Sequence, residues 1–196
     1  MKILKYLVAV LLFAASTVWA GDVEDADAAL DKKDYATALK KYKSAALKSD
    51  AVAQHKLGVM YVEGQGVIQD YAEAVRWFKL AAAQGIVGAQ HNLGVMYDNG
   101  QGVIQDYAEA VRWFKLAAAQ GIGSAQYNLG AMYANGQGVT QNYARSHMWS
   151  NLAAAGGNTG AVKNRDIVAA KMTPQQIGEA QKMARECQAR DFKKCD

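Results

Sequence analysis

Proline and cysteine are nearly absent from this sequence, which has one proline and two cysteines in 196 residues. The scarcity of proline and the abundance of alanine both favour helix. Long apolar runs are missing after residue 15, so nothing beyond that point predicts a membrane span. The net charge of +4 falls to +2 without Lys2 and Lys5, which gives no electrostatic reason to expect a nucleic-acid partner.

Residues 1–20 are typical of a secretory signal peptide. Lys2 and Lys5 form a basic start, residues 6–15 are apolar, and Val18-Trp19-Ala20 provides the side chains that a signal peptidase reads. We expect cleavage between Ala20 and Gly21 and a periplasmic or secreted location. The apolar run is too short for a stable membrane anchor. The alternative is a buried first helix of the fold.

A block of 36 residues occurs three times in this chain. Residues 51–86 and 87–122 differ at only five positions, and residues 123–158 form a looser copy that matches the second at 21 of 36. A fixed period of this length indicates a repeat array. We expect a divergent helical hairpin at 21–50, repeats at 51–86, 87–122 and 123–158, and a partial repeat with a C-terminal capping helix at 159–196.

Each repeat is predicted to form two helices. In the first repeat, the apolar spacing predicts a short helix over Val52–Val62, with Gly58 at a close approach of another helix. Gly64-Gln65-Gly66 then breaks this helix, and we expect Val67 and Ile68 to tuck under the turn.

Asp70 is predicted to cap the second helix, and Glu73 to reach back and complete a capping box. In the third repeat Asn142 keeps the cap, but Arg145 cannot complete the box. The helix should end near Gln84, before Gly85. Its repeated tryptophan, at positions 77, 113 and 149, is interpreted as core rather than as a cofactor site.

Helical segments are also predicted on both sides of the repeats. Val23–Leu30 and Asp34–Lys48 have the pattern of a divergent hairpin, and Gly160–Ala170 that of one more first helix. Thr173 is predicted to cap a helix over Pro174–Gln188 that closes the array.

The repeat resembles the Sel-one-like repeat (SLR) family, relatives of tetratricopeptide repeats with a longer turn. The resemblance is carried, in the first repeat, by Ala53, Leu57-Gly58, Tyr61, Gly64-Gln65-Gly66-Val67, Asp70-Tyr71, Ala74, Trp77 and Ala81-Ala82. It implies an all-α, right-handed solenoid of helix-turn-helix repeats that acts as an adaptor for other proteins. Exported bacterial members are linked to envelope processes and host interaction, and a cysteine-rich branch to penicillin binding or β-lactam hydrolysis.

By this resemblance, the first helix of each pair lines a concave groove that holds the partner. The groove positions are Val52, His55, Lys56, Val59, Val62 and Glu63 in the first repeat, Gly88, His91, Asn92, Val95, Asp98 and Asn99 in the second, and Ser124, Tyr127, Asn128, Ala131, Ala134 and Asn135 in the third. The five differences between the first two repeats lie on or beside this helix, at 51/87, 52/88, 56/92, 62/98 and 63/99. They indicate a recognition surface or drift after a recent duplication.

His55 and His91 occupy equivalent positions, where two imidazoles could hold a metal. No cysteine or carboxylate cluster completes a ligand set, so we expect groove-lining side chains and no metal site. Cys187 and Cys195 are the only cysteines, and a pair in an oxidising compartment predicts a disulfide that ties the tail to the last helix. A redox-catalytic pair is the alternative, although the two-residue spacing is missing.

We therefore expect an exported, non-catalytic adaptor that binds a protein or peptide without a cofactor; the sequence does not predict its oligomeric state, for which a monomer is the default. A β-lactam-binding or β-lactam-hydrolysing enzyme is the alternative that the resemblance leaves open. The sequence has no Ser-x-x-Lys tetrad and no cysteine pair in each repeat. A structural role in an envelope or cell-surface assembly is a third possibility.

Overall fold

Ten α-helices joined by short turns account for most of residues 21–193 and 195, which are the residues described by the computed structural model. No strand occurs among these residues, and the predicted all-α class is confirmed. The predicted signal peptide lies outside the described residues. The helices are α1 (described over 21–31), α2 (Tyr35–Leu47), α3 (Ala51–Glu63), α4 (Tyr71–Ala83), α5 (Val87–Asn99), α6 (Tyr107–Ala118), α7 (Gly123–Asn135), α8 (Tyr143–Ala155), α9 (Thr159–Ala169) and α10 (Pro174–Ala189).

The chain divides into two units, Met1–Ile86 and Val87–Asp196. In the first unit, α2 packs against α3 and α3 against α4. Its core contains the fully buried ring of Tyr42 and the buried side chains of Leu57, Met60 and Trp77. This core buries the apolar faces that neither hairpin could cover alone.

The second unit continues the same arrangement. Helices α5 to α9 pack in chain order, each against the next within its hairpin or between hairpins, and α10 packs against α8. The core includes Phe114, Leu129, Met148 and Trp149, all buried. Trp113 differs from the expectation that the repeated tryptophan belongs to the core, because it is only half-buried. The guanidinium carbon of Arg112 lies 4.6 Å from the centroid of its ring.

Glycines allow the two helices of a repeat to approach closely. A Cβ added to Gly58 would lie 2.6 Å from the ring of Phe78, and one added to Gly94 would lie 2.5 Å from the ring of Phe114. Ordinary carbon contacts are about 3.5–4.0 Å. No larger residue fits at these helix positions without displacing a buried ring.

The second helices begin with the predicted caps but without the predicted capping boxes. The Asp70 carboxylate accepts from the backbone N–H groups of Ala72 and Glu73 at 2.9 and 3.0 Å. The predicted capping box is wrong, because the Asp70 N–H that Glu73 would bind donates to the carbonyl of Tyr61 instead. The Glu73 carboxylate instead accepts two hydrogen bonds from Arg76.

The turn after α3 also departs from its prediction. Gly64 and Gly66 have φ angles of 67° and 72°, the left-handed region that glycine favours. Val67 is half-buried, but Ile68 is 91% exposed, so its expected burial is wrong. The turn is held by polar groups, because the Gln69 side chain donates to the carbonyl of Val62.

The C-terminal helix begins as the sequence predicts. Thr173 and Gln176 form a complete capping box, and Pro174 occupies the first helical position. Ala180, Ala184 and Cys187 are buried. Cys187 and Cys195 form a disulfide with their Cα atoms 5.0 Å apart. Across residues 21–193 and 195, no helix combines the length and the hydropathy that crossing a membrane requires.

Candidate partner-binding surface

The positions predicted to line a groove lie on α3 in the first unit and on α5 and α7 in the second. We call these eighteen positions the first-helix surface; they are Val52, His55, Lys56, Val59, Val62 and Glu63 on α3, Gly88, His91, Asn92, Val95, Asp98 and Asn99 on α5, and Ser124, Tyr127, Asn128, Ala131, Ala134 and Asn135 on α7. None of them is fully buried. The most exposed members are Val52, Glu63, Asn99, Ser124 and Asn135. Partner binding through this surface stays a prediction.

Lys56 of the first-helix surface is engaged in an ion pair. Its Nζ lies 3.1 Å from a carboxylate oxygen of Asp27 on α1, and the same carboxylate accepts a hydrogen bond from the hydroxyl of buried Tyr42. These contacts hold the pKa of Asp27 below its ordinary value, with the Tyr42 hydrogen bond as the largest cause. Burial, followed by the Asp27 contact, raises the pKa of Tyr42. Lys56 thus links α3 to α1.

The two histidines of the first-helix surface each contact a phenylalanine of their own repeat. The ring centroids of His55 and Phe78 are 5.7 Å apart, and those of His91 and Phe114 are 5.8 Å apart. Burial lowers the pKa of both imidazoles, which favours the neutral form at pH 7. Each imidazole therefore contacts the buried ring against which the glycine of its repeat also packs.

The third repeat replaces this aromatic contact with polar side chains. Ser150 stands where the earlier repeats have phenylalanine, and its hydroxyl accepts a hydrogen bond from Asn164 of α9 at 3.0 Å. Tyr127 stands at the histidine position and lies near Gly160. The first-helix surface therefore differs in chemistry between the repeats.

The five differences between the first two repeats all fall on α3 and α5, and none is at a buried residue. One of them replaces Val62 by Asp98, whose pKa is raised by partial burial. Exposed residues of the second helices do not vary in this way: Leu80 and Leu116 are identical, although they are 44% and 43% exposed.

No metal site emerges around the histidines. Among residues 21–193 and 195, no group of three or more histidine, cysteine, aspartate or glutamate side chains could hold a metal ion. His147 is buried on α8, where desolvation lowers its pKa.

A buried glutamine that the sequence analysis does not predict recurs in all three repeats. Gln54, Gln90 and Gln126 are only 2–6% exposed and lie on the packed side of α3, α5 and α7. The signal that could have revealed them is a polar residue at the same place in all three repeats, one position after the buried alanines 53, 89 and 125. The first two of these glutamines each accept a hydrogen bond from another glutamine, whereas Gln126 does not among the described residues.

These packed helical hairpins define the class of a helical-repeat protein. The Sel1 repeat family matches residues 51–86, 87–122 and 123–158, and the chain belongs to this family. Proteins with this repeat fold are typically non-catalytic scaffolds for protein interaction. A comparison with curated proteins finds no match.

Two solved structures support the same fold. One is a protective antigen present in uropathogenic Escherichia coli strains and displaying an SLR fold; it is 33% identical with a TM-score of 0.73, and the match covers 80% of this chain and 34% of the antigen. The other is a Sel1 repeat protein from Oxalobacter formigenes, 34% identical with a TM-score of 0.69, with 74% and 59% covered. The chain thus spans less than two thirds of either relative.

Proposed function

We propose that this protein is an adaptor that binds a protein or peptide segment through the first-helix surface. The main support is the location of the five differences between the first two repeats. Drift limited only by burial would also change exposed residues of α4 and α6, but pairs such as Ala72/Ala108 and Leu80/Leu116 are identical. Selection for different contacts on the first helices accounts for this distribution.

The surface has the chemistry that a peptide ligand needs. It combines apolar positions such as Val59 and Val95 with side-chain amides such as that of Asn128, which is half-buried on α7. Apolar anchors and amide donors suit an extended or helical segment. We expect no nucleic acid and no cofactor in this interaction.

Site-specific photo-cross-linking in the native cell tests this proposal. A photoreactive residue is placed at Val52, Asn99 or Ser124 on the first-helix surface, and at Leu80 or Leu116 on the second helices as matched exposed controls. We expect the same cross-linked protein, identified by mass spectrometry, from the first set only. Equal cross-linking from both sets would contradict the use of this surface.

A variant that exchanges only the surface provides a second test. Giving α3 the residues of α5 through A51V, K56N, V62D and E63N, with the photoreactive residue kept at position 52, leaves every buried residue of the first unit unchanged. We expect loss of the cross-link at the first repeat with retained helicity by circular dichroism. Unchanged cross-linking would show that these positions do not select the partner.

We also propose that the protein is exported to the periplasm or secreted. The basic and apolar segments of residues 1–20 support a cleaved signal peptide, and the Cys187–Cys195 disulfide is typical of oxidising compartments. Cell fractionation with mass determination of the purified chain tests this proposal.

A further inference from the structure

We propose that the third repeat contains a binding pocket for a primary carboxamide on a short aliphatic stem, such as a glutamine side chain. The pocket lies in the second unit at the start of α7, and none of the residues in its wall belongs to the first-helix surface. The proposal depends on a hydrogen-bonded pair that the first two repeats contain and the third lacks.

In the first repeat, the buried side chain of Gln54 uses both ends of its amide. Its Nε2 donates to the carbonyl of Ala46 at 3.2 Å, and its Oε1 accepts from Nε2 of Gln84 at 2.9 Å. In the second repeat, Gln120 donates to Gln90 at the same distance of 2.9 Å. A carboxamide therefore completes the buried glutamine in both repeats.

The third repeat keeps the buried glutamine and loses the residue that completes it. Gln126 is 2% exposed, and its Nε2 donates to the carbonyl of Ala118 at 3.4 Å. That carbonyl can only accept, so it sets the orientation of the amide. The donor position is now Gly156, and nothing within residues 21–193 and 195 donates to Oε1 of Gln126.

A cavity of about 200 Å³ occupies the place of the missing side chain. Gln126 and Gly156 line it together with Gly121, Leu152 and Phe192. Gly123, the first residue of α7, is also in the wall, and this helix has no side-chain cap. The pocket therefore offers the Oε1 acceptor of Gln126, the apolar side chains of Leu152 and Phe192, and the backbone donors of a helix without a side-chain cap.

These groups match a primary carboxamide better than a carboxylate. The NH₂ group of a carboxamide can donate to Oε1 of Gln126, as Gln84 and Gln120 do in the other repeats. Its oxygen can accept from the first turn of α7. A carboxylate has no hydrogen to donate, so it cannot form this hydrogen bond with Oε1 of Gln126.

Propionamide, which reproduces the end of a glutamine side chain, is the probe for this pocket, and propionate is its matched control. Binding is followed by NMR on the full chain, through the Gln126 side-chain amide and the Phe192 ring. We expect saturable shifts of both signals with propionamide and at least about tenfold weaker effects with propionate.

Variants at position 156 distinguish propionamide binding in the pocket from binding elsewhere on the chain. Gly156 has φ −80°, so other residues fit its backbone, and an added Cβ would meet the Ala153 carbonyl at an ordinary 3.4 Å. G156Q restores the missing amide and should abolish the propionamide shifts, with a higher Tm than G156A. G156A removes the same glycine without filling the pocket and should keep the shifts.

Titrations with free L-glutamine and with a blocked glutamine peptide then distinguish a small-molecule ligand from a side chain of a partner. Absence of propionamide shifts in the wild-type chain would overturn the proposal, as would equal shifts in G156Q. Gln188 also lines the pocket; binding that appears only in Q188A would mean that the chain fills its own pocket, and would overturn it too.

Discussion

Replacing Gly94 by alanine tests the close packing of the two helices within a repeat. At a solvent-exposed position inside a helix, a change from glycine to alanine stabilises the fold by about 1 kcal/mol, because glycine has the greater backbone freedom in the unfolded chain. Here the added Cβ would lie 2.5 Å from two ring atoms of Phe114, about 1 Å closer than a relaxed contact. Phe114 has no exposed surface, so its ring cannot move out into solvent to relieve the contact.

Overpacking of this kind costs about 1–3 kcal/mol and outweighs or cancels the backbone gain. The matched control is Gly178 in α10, where an added Cβ meets nothing within 4 Å. We expect G178A to stabilise the protein by about 0.5–1 kcal/mol and G94A to be less stable than G178A by about 1–3 kcal/mol.

Urea unfolding followed by circular dichroism measures this difference. Adding F114L to G94A makes room for the methyl group, so the two changes together should cost less than the sum of their separate effects by about 1 kcal/mol. If G94A stabilises the protein as much as G178A does, the close approach of α5 and α6 is not a packing constraint.

Four further outcomes are expected. C187S with C195S should lower the local stability of α10 by about 2–3 kcal/mol, because the unfolded chain regains the entropy that a short disulfide loop removes. Hydrogen exchange should then show faster amide exchange in α10 and not in α3. Burial lowers the pKa of His55, His91 and His147, so the unfolded chain binds protons before the folded chain does as the pH falls below about 6.5. The stability of the fold should therefore decrease from pH 7 to pH 5. In thermal melts, a variant with all three histidines replaced by glutamine should show a smaller decrease. Mass spectrometry of the exported chain should give an N-terminus at Gly21, whereas an intact residue 1–20 segment would contradict cleavage. Purified protein should not hydrolyse nitrocefin above a buffer blank, and measurable turnover would favour the enzymatic alternative.

The helices were predictable from sequence because their signals are local. The capping box of Thr173 depends on Gln176, three residues later, and the helix end at Gln84 depends on the following Gly85, which has φ 88°. Both signals act within one turn of helix. The predicted boundaries of α3 and α10 accordingly differ from those of the structure by one residue.

The contacts that could not be predicted from sequence involve groups whose partners are distant in sequence. Glu73 is placed for a capping box, but the N–H that it would bind is used by Tyr61, nine residues before the cap. Lys56 has the spacing of a groove residue, but its ion pair with Asp27 depends on the packing of the divergent α1. The exposure of the first-helix surface follows from helical periodicity, whereas the partners of its side chains depend on tertiary contacts.

The third repeat shows how substitutions change the contacts around them. Glu109 in the second repeat accepts hydrogen bonds from Arg112, but Arg145 at the equivalent place in the third repeat has no such partner. Arg145 instead donates to the hydroxyl of Tyr133 at 3.2 Å, and Tyr133 is 3% exposed, whereas Tyr61 and Tyr97 are half-buried. The first two repeats, with identical second helices, form the same ion pair and the same glutamine pair. The distinct contacts of the third repeat therefore follow from its own substitutions. Its pocket is specific to that repeat because only the third repeat has glycine, at position 156, where the others have glutamine.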